Sequence, residues 1–214
     1  MTDSLYPGYD VLQKRDGQSW NSASRRTLDA RLSLRQAPRF FAQAEWFTVR
    51  ALCERIMPQP TGSQVVPLAA LLDQRLLSGR TDGFRRANLP QQAEAWRQGL
   101  AAIDVEARTH HGMAFHELDP EQQDALLRRL QAGELTGAAW RGMPGQDFFA
   151  HRVLPDITSA YYAHPLAWNE IGFGGPASPR GYVRMDFNRR DPWEAAEALP
   201  GNEVQALSEN RRVR

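Results

Sequence analysis

The side chains in this sequence with chemistry to offer are five histidines, one cysteine and two close carboxylate pairs. His110, His111, His116, His151 and His164 show neither Glu-x-x-His nor His-Glu-x-x-His spacing, the patterns that turn two ligands onto one helix face. His116 and Glu117 are adjacent and point to different sides of a helix. His110 and His111 fall at a helix C-terminus, where the dipole favours a partly protonated imidazole. Cys53 is the single cysteine, which excludes an internal disulfide and a thiolate zinc site. It lies on an apolar stripe with no local base and reads as a small buried hydrophobe. No Cys-x-x-Cys-His run is present to attach a c-type haem. No Gly-x-Ser-x-Gly elbow occurs, and Ser63 and Ser178 read as turn residues. Neither Gly-rich phosphate fingerprint is present. The run Gly172-Phe173-Gly174-Gly175-Pro176 is Gly-rich, but Pro176 opposes a helix directly after it. Asp119/Glu121 and Glu194/Glu197 sit near helix starts, where negative charge is stabilising without any catalytic role. A stand-alone enzyme would have to build its site from His151, His164 and nearby acids, and no recognised spacing joins them.

The elements that would position such residues are helical. Val49, Leu52, Cys53 and Ile56 recur at helical spacing and predict a helix over 42–57, ended by Pro58 and Pro60. Leu68, Leu71, Leu72 and Leu76 predict a second from about Val66, with Pro67 in its first turn and Gly79 as its stop. A third runs over 90–111 with Asn88 as its cap, and Trp96, Gly99, Leu100, Ile103 and Ala107 share its face. Asp119, Pro120 and Gln122 form a capping box ahead of Leu126, Leu127 and Leu130, and Gly133 ends that fourth helix. Phe149, Val153, Ile157 and Tyr161 place a fifth over 146–163, kinked at Pro155. The fold class expected is all-α: a helical bundle of about five main helices over 40–164, with an N-terminal arm over 1–39 and an irregular C-terminal extension over 165–214.

The arm carries Tyr6, Tyr9 and Trp20 on a polar, Pro/Gly-punctuated background. It lies either on a partner or back on its own domain. Asn21 or Ser22 caps a short helix in it, running to Arg35 with Leu28 and Leu32 on one face. The extension offers no helical period over 165–190, a candidate strand over 182–187, a weak helix at 193–199, and a frayed tail. Hydrophobic residues make up 42% of the chain, too many for compositional disorder. A formal net charge of +1 provides no global field for nucleic acid or an anionic membrane. No apolar run is long enough for a transmembrane helix. Ser24-Arg25-Arg26-Thr27-Leu28 imitates a twin-arginine export signal, but Asp29, Arg31 and Arg35 stand where its apolar stretch belongs.

Aromatic residues gather around the glycines and prolines after the fifth helix: Tyr161, Tyr162, Trp168, Phe173 and Tyr182. Tyr and Trp are enriched in binding hot spots, so this run reads as a partner surface or as a lid on the domain's own core. Three stretches resemble the gluconate 2-dehydrogenase subunit 3 family. The first is Arg39-Phe40-Phe41 leading into 49–58. The second is 97–104 followed by Phe115 and 118–127. The third is Tyr162-x-His164-Pro165 with 168–176. Together they span 39–185. The resemblance implies an FAD-containing catalytic subunit of the glucose–methanol–choline (GMC) type as partner, with a cytochrome c subunit carrying haem c as the acceptor in some complexes. It implies no cofactor, metal or catalytic residue in this chain. The small subunit would mature and stabilise the flavoprotein, as a permanent subunit or a transient chaperone, without binding nucleic acid or inserting into a membrane. On that reading the interface comprises Tyr161, Tyr162, His164, Trp168, Ile171, Phe173, Gly174, Gly175, Pro176 and Tyr182. With no export signal read in this chain, the complex is periplasmic through a signal on the partner, or cytoplasmic.

Overall fold

The computed structural model describes residues 4–62, 65–81, 83, 85–181 and 189–213. The chain divides into two units, one of residues 34–161 and the other of residues 1–33 together with 162–214. The class is all-α, and among the described residues the one β feature is an isolated bridge between Trp20 and Ser178.

In the unit over 34–161, α2 (Gln43–Ile56) buries Trp46, Val49, Leu52 and Cys53 along the stripe the sequence shows. In α3 (Leu68–Leu77), Leu68, Leu72 and Leu76 are buried. Its predicted first-turn proline, Pro67, is instead the cap residue. The next helix, α4 (Gln92–His111), has Gln91 at its cap rather than Asn88. The Asn88 amide donates to Asp147 instead, 2.5 Å away. In α5 (Pro120–Ala132), the capping box of Asp119 and Gln122 forms as predicted, and Gly133 closes the helix in the left-handed region. The predicted fifth helix is three pieces: α6 (Gly145–Phe148), a π turn over Phe149–Val153, and α7 (Leu154–Tyr162). A proline has no N–H and crowds the carbonyl four residues back, so the widened turn directly before Pro155 is where the ladder accommodates it.

An aromatic chain runs through this unit. Phe41 meets Trp96 edge-on at 6.3 Å, and Trp96 meets Phe148 edge-on at 5.5 Å. Gly99 makes the second contact geometrically feasible, because a Cβ there would lie 2.3 Å from the Phe148 ring. Two buried carboxylates hold the surroundings. Asp156 accepts from Trp96 Nε1 at 2.7 Å and Gln92 Nε2 at 2.9 Å. Asp73 gathers the backbone N–H groups of Arg39, Phe40 and Phe41 at 2.9–3.0 Å. Buried polar groups need such partners, so both acids are committed to structure.

The second unit is built from the two ends of the chain. Its core is Tyr9, Val11, Trp20, Leu28, Trp168 and Val213. Here α1 (Ser22–Leu32) is capped by Asn21, whose side chain accepts from Ser24 N–H, and it ends three residues before Arg35. The segment read as irregular contains α8 (Pro165–Glu170). The weak helix read at 193–199 does not form. The supposed frayed tail is α9 (Glu203–Asn210), followed by a buried Val213. Asn210 explains the order of the tail: its amide donates to Pro7 O at 3.0 Å and Ala196 O at 2.9 Å, and accepts from Ala196 N–H at 2.7 Å. The strand read over 182–187 lies outside the described residues.

Overpacking at Gly99 should be felt directly. Gly99→Ala is expected to destabilise the unit over 34–161 by about 1–3 kcal/mol, and a Phe148→Leu background should shrink that penalty. Urea unfolding of the four chains in that double-mutant cycle measures both.

Candidate partner interface

His164 begins the aromatic run with extended backbone (φ −99°, ψ 139°), and its Nδ1 accepts from Leu166 N–H at 3.3 Å, capping α8. Pro165 takes the first helical position, where a missing N–H costs nothing. One turn on, the Trp168 indole donates to Tyr162 O at 2.6 Å, and its carbonyl accepts from Phe173 N–H at 2.9 Å. The Phe173 ring packs edge-on against the indole at 5.4 Å. Gly172 ends the helix with φ +65°, and a Cβ there would strike the Tyr6 ring at 2.5 Å. Gly175, at φ +68°, is tight as well, since a Cβ there would lie 3.2 Å from Trp168 and from Val11.

The residues expected at an interface therefore separate by exposure. Tyr161, His164, Trp168 and Gly175 are buried. Gly174 and Pro176 are half-buried. Tyr162, Ile171 and Phe173 are 41–47% exposed, unusual for side chains so apolar. Tyr182 lies outside the described residues. Trp168 closes this unit's own core, while Ile171 and Phe173 form an apolar ledge that a partner could cover. The ledge borders a cleft of about 790 Å³ lined also by Tyr6, Arg180, Arg189 and Trp193. Tyr6 and Trp193 are aromatics that the sequence offered but spacing could not join, since they are brought here from opposite ends of the chain.

Lys14 is the lysine behind this cleft, and it too escaped the reading of the sequence. It is wholly buried. Its ammonium donates to Gly174 O at 3.3 Å and to Trp193 O, and it lies 5.5 Å from the centroid of the Tyr9 ring. Burial first, and Arg180 second, lower its pKa to about 8, against a smaller opposing pull from Glu194. The Tyr9 hydroxyl donates to Phe173 O at 3.2 Å, and burial pushes its pKa up. This network fixes the backbone of the Gly-rich run from below.

The other candidate groups are engaged locally. His151 Nε2 lies 3.7 Å from Asp147, and His110 Nε2 lies 3.6 Å from Glu106, each pair one helical turn apart. His116 stacks on Phe47 at 5.2 Å. Cys53 is buried, and burial pushes its thiol well above the ordinary range. Among the described residues no three His, Cys, Asp or Glu side chains group as a metal site would require. Among the described residues, too, no helix is long and apolar enough to cross a membrane.

A family model described as gluconate 2-dehydrogenase subunit 3 matches residues 43–175, well over half of the chain. The match covers the helices of the unit over 34–161 and continues through α8 to the Gly-rich run. No match was found among curated proteins or among solved structures.

The Lys14 network gives a signed pH dependence. Between pH 8 and 10.5 the unfolded chain holds a proton on this lysine that the folded chain has shed, so stability rises with pH across that window. The denaturation midpoint of the terminal unit is expected to increase from pH 7.5 to 9.5, and Lys14→Gln should remove the increase. Chemical denaturation followed by tryptophan fluorescence checks this.

Proposed function

The chain belongs to the gluconate 2-dehydrogenase subunit 3 family, and from that premise we propose that it is the non-catalytic small subunit of a dehydrogenase complex. Its partner is an FAD-containing catalytic subunit of the GMC type acting on a sugar, sugar acid or alcohol. The chain binds that subunit, stabilises it and helps it mature. A haem c subunit completes the complex where a cytochrome serves as acceptor. The compartment follows the partner, by co-export or in the cytoplasm.

The observation that carries this reading is the match over 43–175 to a family named for a dehydrogenase subunit. The local geometry supports it. His164 caps α8, His110 and His151 sit beside carboxylates one turn away on their own helices, His116 stacks on Phe47, and the buried Asp73 and Asp156 accept core hydrogen bonds. The large apolar side chains Ile171 and Phe173, in contrast, face solvent, with both backbone polar groups of Phe173 hydrogen-bonded. Aromatic side chains presented on a fixed frame are the usual anchors of an interface, because little side-chain entropy is lost when they are covered. We assign the ledge and Tyr162 as the contact surface. The buried members of the aromatic run act behind it, as its support.

Tagging the chain in its native host and recording the absorption of what co-purifies tests the proposal. A flavin-bearing polypeptide retained in fixed stoichiometry is expected. Its release after flavin loading would make the chain a transient chaperone, and a colourless monomer would overturn the reading. In the retained complex, Phe173→Ala should weaken binding by roughly 2 kcal/mol. Ile171→Glu should weaken it at least as much, while circular dichroism of the isolated chain stays unchanged.

A further inference from the structure

We propose that His164 is a pH-operated latch on the apolar ledge: adding a proton to its imidazole removes the cap of α8 and loosens the backbone that presents Ile171 and Phe173. Helix caps are ordinarily Ser, Thr, Asp or Asn, whose acceptor oxygens persist near neutral pH. An imidazole nitrogen is different, because protonation turns the acceptor into a donor. Nδ1 of His164 would then face the Leu166 N–H it now accepts from, donor against donor.

Three effects act together against the charged imidazole. The ring is 2% exposed, so the new charge would be buried. It would stand at the positive end of α8. It would also stand beside Arg31 of α1, whose guanidinium is bonded to Ala163 O at 2.6 Å. Arg31 is the charged group that bears on the ring, and Asp29 on the same helix is held by Arg15 through two hydrogen bonds. The carboxylate of α8, Glu170, stands at the far end of that helix. Burial and then Arg31 hold the imidazole below its ordinary value of 6.5. The sign follows: the stabilising neutral form is present above the ordinary value, and its contribution is lost as pH falls toward the lowered one.

The consequence reaches the ledge because α8 is short. Six residues make few intrahelical bonds, so loss of the cap is felt along the whole element. Trp168 holds Phe173 through both its carbonyl and its ring, and Asn169 Oδ1 accepts from Val11 N–H at 2.8 Å. Loosening α8 therefore frees the ledge and one tie to the N-terminal segment. That this would weaken hold on a partner rests on the proposed function, whereas the latch itself does not.

Amide hydrogen exchange on the full chain from pH 7.5 to 5, corrected for intrinsic rates, tests the latch. Protection at Leu166, Ala167 and Phe173 is expected to fall by up to about tenfold per pH unit, the limit for one linked proton, while amides of α4 keep theirs. His164→Asn keeps a capping acceptor that cannot titrate and should abolish the fall. Arg31→Gln should leave the onset in place and make the total fall smaller, because the folded imidazole then lies closer to its ordinary value. A flat wild-type profile, or an unchanged fall in His164→Asn, overturns the proposal. If that variant does not fold, the wild-type imidazole can be titrated by NMR. The amides of α8 must follow its curve, and titration that leaves them unmoved overturns the latch equally. Partner retention at pH 7.5 and 5.5 is a separate readout. A working latch with pH-insensitive retention would sink the ledge assignment and leave the latch standing.

Discussion

The indole of Trp168 is held from several sides at once, and the terminal unit is organised around it. Its N–H is fixed to the Tyr162 carbonyl, its own carbonyl fixes the amide of Phe173, and its ring face supports the Phe173 ring. Gly175 passes beneath it in the left-handed region, where a Cβ would press on the ring at 3.2 Å. Val11, Trp20, Leu28 and Val213 complete the packing around this group. A large aromatic whose polar handle is satisfied adds both buried area and direction, and here the direction determines where the exposed ledge points.

The unit over 34–161 rests on a different principle. Its helices carry unbroken apolar stripes, and its buried acids are satisfied by backbone N–H groups and by tryptophan and glutamine side chains. Such stripes could be read directly from the sequence, because a period of 3.6 residues is local information. The capping box at Asp119 was equally legible, since three adjacent residue types specify it. Asn88 misled for the complementary reason: it is a good cap residue by type, but Asp147, far along the chain, claims its side chain.

The terminal unit was legible only in fragments. Its helices α8 and α9 are too short to show a period, and each is held by contacts that residue type alone does not announce. Asn210 carries no apolar signal, yet its side chain orders the tail by bonding Pro7 and Ala196. The sequence left open whether Tyr9 and Trp20 lie on a partner or on their own domain, because Trp168 and Val213, which complete their core, lie more than a hundred positions away. Within the aromatic run the sequence could not separate Ile171 and Phe173, which face outward, from Trp168 and Tyr161, which face inward. Lys14 and the cleft above it were hidden for the same reason.

The Asn210 anchor has a consequence for the order of events during synthesis. The terminal unit is discontinuous: residues 34–161 are made between its two halves. The ribosome releases the N-terminal half first, and it must wait for the side chain that bonds Pro7. The intervening helices emerge complete and can fold as they appear, because their contacts are internal to one continuous segment. Throughout that interval Val11, Trp20 and Leu28 have no Val213 to close over them. Closure of the terminal unit therefore waits until Asn210 and Val213 have been made, long after the residues they cover.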